Sequence, residues 1–307
     1  MRMLVVGAGS TGGYFGGRLA QAGRDVTFLV RPGRAAHLRA NGLQVVSPHG
    51  DFTLAPQLVT ADSIDGTYDA VLVTVKAFSL EAALADMAPA VGPDTMVLPV
   101  LNGMKHLDRM ADRFGAPAVV GCVCKVGTSI DAEGRIIQLN RMQELAYGEL
   151  DGSPSARTDR LDTFLRDAGF DARLTPTITR ELWEKWLLLA ALGGATCTMR
   201  GTIGDIAATP DGEAFVNRLI DEVVAVVEAV GQAPGPGYVA GVRATMTAKG
   251  SPGASSMYRD LTAGNAVEAD QIVGDLLDRG RRAGLDTPLL AAAYTHLCVY
   301  QNRLGRA

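Results

Sequence analysis

The opening stretch, MRMLVVGAGSTGGYFGGRLAQAGRDVTFLVR, constrains the fold more than any other part of the chain. Residues 4–6 are a short apolar run. Gly7, Gly9 and Gly12 follow in GxGxxG spacing, a helical pattern covers 11–22, and a second strand pattern covers 25–30. Strand, glycine turn, helix, strand is an order in which each glycine has a task. Gly7 makes the turn, Gly9 lets a pyrophosphate approach the backbone, and Gly12 lets helix and strand pack closely. The helix N-terminus then offers unpaired N–H groups to the phosphate charge. Glycines serving only a tight turn are the bland alternative, and the flanking strands and helix argue against it. Gly7, Ala8, Gly9, Ser10, Thr11 and Gly12 are therefore the expected dinucleotide-binding residues.

The end of the second strand selects the dinucleotide. An acidic residue about twenty positions beyond the last glycine bonds the ribose hydroxyls of NAD, whereas arginine accommodates the 2′-phosphate of NADP. Here the strand ends in Arg31, followed by Pro32, Gly33 and Arg34. Two guanidinium groups suited to bidentate phosphate contacts stand where a carboxylate would be, so the expected cofactor is NADP(H). Two solvated loop arginines are the competing reading.

Along the chain, strands and helices alternate. Residues 43–46 and 52–54 read as short strands, 69–75 (DAVLVTV) as a strand buried on both faces, 80–87 as a helix and 95–101 as another strand. That alternation predicts an α/β, Rossmann-like doubly wound sheet, whose ligands bind outside the carboxyl ends of the strands. Gly7, Arg31, Lys76 and Asn102 all fall at such ends, which makes Lys76 and Asn102 further cofactor candidates. Locally, Lys76 also suits a snorkelling surface lysine and Asn102 a turn residue before Gly103. Residues 118–148 read as short β pieces with turns at 131–134 and around Asn140, an antiparallel extension of the sheet. Pro176 marks a boundary between residues 1–175, which bind the nucleotide, and residues 176–307, a helical substrate domain across a cleft. Helices are expected there over 179–192, 212–230, 238–248, 263–283 and 288–304.

Composition limits the function class. A net charge of −4 without a basic block argues against a nucleic-acid partner. The chain begins a strand after one arginine, leaving no room for a signal peptide, and its most apolar stretch, 186–195, is too short to span a bilayer. A cytoplasmic location without membrane association is expected. Cys122, Cys124, Cys197 and Cys298 lack zinc-ligand spacing, so no metal is expected.

A nicotinamide reductase acting on a ketone needs a proton donor near the carbonyl oxygen. The second half has only two lysines, Lys185 and Lys249. Lys185, in ELWEKW directly before the apolar run, suits a tunable acid, and equally an i,i+4 pair with Glu181 on a solvated face. Ser255 and Ser256 stand where a helix begins and suit either capping or an anion site.

Taken together, the glycine turn, Arg31, VKAF around Lys76, LNG at Asn102, LWEKW around Lys185, and SSMYRDL with Glu268 resemble the ketopantoate reductase (2-dehydropantoate 2-reductase) family, from the first strand to about Pro288. The resemblance implies Lys185 as general acid, Lys76 and Asn102 touching NADPH or substrate, Ser256 with Ser255 on the substrate carboxylate, and Glu268 near the nicotinamide end. It implies NADPH-dependent reduction of 2-dehydropantoate to pantoate, the reaction used in pantothenate biosynthesis. The substrate half departs from the pattern, with Leu189, Gly193, Ile203 and Gly253 at positions where the family carries asparagines. Thr196, Arg200 and Thr202 lie close by in sequence, and Arg200 is a candidate compensating carboxylate ligand. A different 2-oxo, 3-hydroxy or opine-type acid, or a non-catalytic NADP(H) sensor, are the alternatives. The apolar helical half is compatible with a homodimer.

Overall fold

In the computed structural model, which describes residues 1–305, the alternating first half forms β1 (Arg2–Val6), α1 (Ser10–Gln21), β2 (Asp25–Leu29), α2 (Pro32–Asn41), β3 (Leu43–Val46), β4 (Phe52–Leu54), β5 (Gln57–Val59), β6 (Ala70–Val73), α3 (Leu80–Met87), β7 (Met96–Pro99), α4 (Lys105–Phe114), β8 (Gly121–Ile130), β9 (Ile136–Gly148), α5 (Ala156–Leu165) and β10 (Asp171–Leu174). Five strands make a parallel sheet in the order β5-β2-β1-β6-β7. Every residue of β6 and β7 is buried, as a parallel strand covered on both faces requires. The doubly wound α/β architecture expected from the alternation is present.

Residues 118–148 do not extend that sheet. They form two long antiparallel strands, β8 and β9, in a second, mixed sheet ordered β10-β9-β3-β4 with β8 beside β9. An isolated bridge, Val97 to Val119, leads toward it from the first. The turn expected around Asn140 is a bulge: pairing jumps from Val126–Gln143 to Thr128–Gln138, and residues 139–142 loop out of the ladder. A Cβ on Gly127 would lie 2.7 Å from the Asn140 amide nitrogen, so the bulge folds down over a glycine.

Helix α1 lies between the two sheets and needs glycine on both faces. A Cβ at Gly16 would sit 2.7 Å from the Phe28 ring of the first sheet, and one at Gly13 would sit 2.2 Å from Ile136 Cδ1 of the second.

The second half is helical: α6 (Ile178–Met199), α7 (Ile203–Ala207), α8 (Gly212–Val230), α9 (Tyr238–Met246), α10 (Ser256–Thr262), α11 (Asp275–Arg282) and α12 (Pro288–Leu304). Two expectations fail here. The helix carrying Lys185 runs seven residues past Leu192, because Gly193 and Gly194 let Met257 and Leu219 pack close instead of ending it. The helix expected over 263–283 is interrupted. Gly264 adopts φ +73°, the Asn265 N–H bonds the Asp260 carbonyl and the Gly264 N–H bonds the Leu261 carbonyl, which is a Schellman stop. A single π-helical segment, Asp270–Gly274, then leads into α11.

Contacts divide the chain into two compact units. One holds Met1–Leu101 and His106–Thr179; the other holds Asn102–Lys105 and the chain from Arg180 onward. Asn102, read as part of the nucleotide domain, therefore clusters with the helical unit. Among the described residues no helix is long and apolar enough to cross a membrane.

Two tests follow from this packing. Gly16→Ala should cost about 1–3 kcal/mol in urea unfolding with an unchanged m value, since the Phe28 ring is held in the core. Glu149 accepts from Arg157 and Ser155, and the Arg157 bond holds its pKa below the usual carboxylate value. Its stabilising contribution is present above the unfolded pKa of about 4.3 and is lost as pH falls through the lower folded value. Glu149→Gln should lower Tm at pH 7, with the gap closing in melts below about pH 4.

Candidate active site

The first unit builds a nucleotide cradle from β1 and α1. Gly7 leaves β1 at φ +95°, and its N–H donates to the Leu29 carbonyl at 3.0 Å, fastening the turn to β2. The first bond of α1 runs from the Gly13 N–H to the Gly9 carbonyl, so the N–H groups of Ser10, Thr11 and Gly12 precede the helical ladder. No acidic side chain occupies that first turn. The glycines differ in what surrounds them. A Cβ at Gly9 would meet nothing within 4 Å, whereas one at Gly12 would lie 2.1 Å from Thr74 Oγ1 and 2.2 Å from the Gly7 carbonyl oxygen. Position 9 thus borders open space and position 12 is packed against protein, which is the arrangement a pyrophosphate requires.

Two residues brace the turn. Thr74, immediately after β6, directs its hydroxyl at the carbonyls of Val6 and Gly7, 2.8 and 2.9 Å away. Sequence reasoning passed over it, although it is the single hydroxyl in DAVLVTV. Arg34 donates from Nε to the Ala8 carbonyl and from both terminal nitrogens to the Gly134 carbonyl, each at 3.2 Å. Burial lowers its pKa. Three of its five N–H groups thus tie the glycine turn to the β8–β9 turn. Arg31 is exposed at the end of β2, where it precedes Pro32 and α2. Lys76 is exposed three residues beyond β6.

In the second unit, two candidates 166 positions apart meet: Asn102 Nδ2 donates to Glu268 Oε2 at 3.4 Å. The loop holding Asn102 turns at Gly103, φ +79°, where a Cβ would fall 2.3 Å from the Gln271 carbonyl oxygen. No residue but glycine fits. Lys185 is half-buried on α6, and the next residue, Trp186, is buried and donates from its indole nitrogen to the Ile272 carbonyl at 2.8 Å. A π-turn shifts the bonding register and so leaves a carbonyl for a side chain to satisfy. The helix that carries Lys185 is thereby fixed to the segment following Glu268. This anchoring had no signal in the sequence.

The two serines have different fates. Ser255 is buried as the N-cap of α10, its oxygen accepting from the Tyr258 N–H at 2.9 Å. Thr196 donates its proton to the Leu192 carbonyl, so the Ser255 proton bridges to Thr196 Oγ1 at 2.9 Å. Of the two uses that the sequence left open for Ser255, capping is the one present, with its hydroxyl engaged both as acceptor and as donor. Ser256 is exposed in the first turn of the same helix. Burial raises the Cys197 thiol to about 11, which leaves it protonated at neutral pH. Thr202 also caps, in a reciprocal box with Asp205. Arg200 is exposed at φ 55°, and its carbonyl accepts from the Tyr258 hydroxyl.

The unusual positions pack in an apolar manner. The Ile203 N–H bonds the Gly253 carbonyl at 2.8 Å, and a Cβ at 253 would be 3.0 Å from Ile203 Cδ1. Gly193 lies under the Met257 methyl, and Leu189 is half-buried. Among the described residues, no three His, Cys, Asp or Glu side chains gather as a metal site.

Comparison with known proteins gives matches to "Ketopantoate reductase PanE/ApbA" over residues 3–152 and to "Ketopantoate reductase PanE/ApbA C terminal" over residues 177–301. A Bacillus subtilis protein described as an uncharacterized oxidoreductase is 32% identical over 98% of this chain and 99% of its own. A 2-dehydropantoate 2-reductase of Mesorhizobium japonicum is 27% identical over 95% of each chain. The crystal structure of 2-dehydropantoate 2-reductase from Geobacter metallireducens superposes with a TM-score of 0.86 at 29% identity, covering 97% of this chain and 99% of that one.

Because the Arg34 bonds brace the turn without reading the ribose, Arg34→Met should weaken NADPH and NADH by the same factor, about tenfold, in fluorescence titrations. Loss confined to NADPH would instead make Arg34 a phosphate ligand.

Proposed function

Since this chain belongs to the ketopantoate reductase family and is an oxidoreductase of that family, we propose that it reduces a small 2-keto acid to the 2-hydroxy acid with NADPH, 2-dehydropantoate being the first substrate to test. The observation that supports this reading is the Asn102–Glu268 hydrogen bond, which joins two candidate site residues distant in sequence beside the segment that anchors the Lys185 helix.

The roles follow from chemistry. The N–H groups of Ser10, Thr11 and Gly12 bind the pyrophosphate, and Arg31 pairs with the 2′-phosphate. When bound, the reduced nicotinamide supplies a hydride to the substrate carbonyl carbon. Negative charge then develops on the carbonyl oxygen, and the Lys185 ammonium delivers the proton that neutralises it. Glu268, held by Asn102, orients the lysine or the ribose hydroxyls. Lys76 and Ser256 bind the cofactor and the substrate carboxylate respectively.

A second reading changes only the substrate. The apolar contact of Ile203 with Gly253 and the Gly193–Met257 packing favour a 2-oxo acid whose side chain carries no hydroxyl. A site that lacks polar partners gives up selectivity for a hydroxylated substrate and gains tolerance for an apolar one.

A panel of 2-keto acids, read as loss of the reduced-nicotinamide absorbance, tests both. Turnover of at least one acid is expected; a protein that binds NADPH and oxidises it with none would be a sensor instead. Lys185→Ala should lower kcat by about 10²–10⁴-fold while the Kd for NADPH stays within about twofold. Arg31→Ala should weaken NADPH by about tenfold or more and leave NADH unchanged, so equal weakening of both would remove Arg31 from cofactor selection.

A further inference from the structure

The segment that carries Glu268 has no regular structure of its own. Residues 263–268 lie between the Schellman stop of α10 and the π-turn, so their backbone groups must find partners elsewhere. The last turns of α12 supply them. The Gln301 side chain behaves like a peptide group inserted beside Val267: Oε1 accepts from the Val267 N–H at 3.2 Å and Nε2 donates to the Val267 carbonyl at 3.1 Å. One residue earlier on α12, the Tyr300 hydroxyl donates to the Asn265 carbonyl at 2.8 Å. On the other side of Glu268 its own carbonyl accepts from the Ile272 N–H, and the Ile272 carbonyl takes the Trp186 indole. The Tyr294 hydroxyl, also from α12, bonds Asp270 at 2.5 Å at the start of the π-turn.

We propose that Gln301 is a positioning residue for the reductase reaction, clamping the backbone of Val267 so that the Glu268 carboxylate stays against Asn102. The inference rests on the reductase reading for its functional consequence, and on the paired bonds to Val267 for its structural one. A carboxylate on an irregular segment is otherwise free to move by rotation about the backbone of the residue before it. The two-point clamp removes that rotation, whereas a single bond would act as a hinge. Val267 is itself buried, so its N–H and carbonyl have no water to replace a lost amide. Nothing in the sequence distinguishes Gln301 from the other polar residues of the last helix, because its partner lies 34 positions away.

The test is a double-mutant cycle with an exchange measurement beside it. Gln301→Ala should lower kcat by about tenfold, with the Kd for NADPH within about twofold, since a displacement near 1 Å at a catalytic group costs up to about 10²-fold. In a Glu268→Gln background the same change should cost less than about twofold, because the group it positions is already disabled. An equal loss in both backgrounds, or none in either, overturns the proposal. Amide hydrogen exchange of the intact protein reads the clamp without activity. The Val267 amide should exchange about tenfold faster in Gln301→Ala, while amides of α8 keep their protection. Unchanged Val267 exchange also overturns it. If Gln301→Ala does not fold, Tyr300→Phe removes one neighbouring bond and should show a smaller loss of kcat, about two- to threefold, with the same dependence on Glu268; its absence counts against the clamp. A wild-type protein inactive on the whole keto-acid panel would remove the reductase reading, and the exchange result then decides the clamp by itself.

Discussion

The N-terminus of α1 must leave its N–H groups unpaired and uncovered, and much of the first unit is arranged around that requirement. Unpaired N–H groups are a liability unless a ligand or water takes them. The helix is therefore fixed elsewhere: by close packing of its glycine faces on the two sheets, by Thr74 on the carbonyls of Val6 and Gly7, and by Arg34 on the carbonyl of Ala8. These contacts engage acceptors of the turn, and none of them covers the open side at Gly9. The second sheet, unforeseen from the sequence, is what Arg34 braces against through Gly134.

The helical unit meets a different problem with similar means. Its candidate carboxylate, Glu268, sits on an irregular stretch between a helix stop and a π-turn. Irregular backbone gives freedom in where a side chain is placed but offers no ladder to hold it. Side chains replace the ladder here, with Trp186, Tyr294, Tyr300 and Gln301 each bonding this stretch or the π-turn after it. The Asn102 loop closes on the same turn because Gly103 has no side chain to keep it away from Gln271. Ser255 shows a different case, a hydroxyl that caps α10 with its oxygen and bonds Thr196 with its proton.

Local pattern alone determined a good deal of this protein. The GxGxxG turn, most of the strands of the parallel sheet, the change to helices after Pro176 and the placement of Asn102 just beyond a strand were legible because each depends on spacing along a few neighbouring residues. The family resemblance added Glu268 and gave Lys185 and Ser256 roles that spacing could not assign. The tertiary structure decided what depends on distant partners: that β8 and β9 build a separate sheet, that Asn140 folds over Gly127 as a bulge, that Arg34 is a brace, and that Gln301 reaches Val267. The physical reason is the same throughout. A turn or a helix face is specified by local sterics and periodicity, but which donor satisfies a buried carbonyl depends on segments that meet only after the chain has packed.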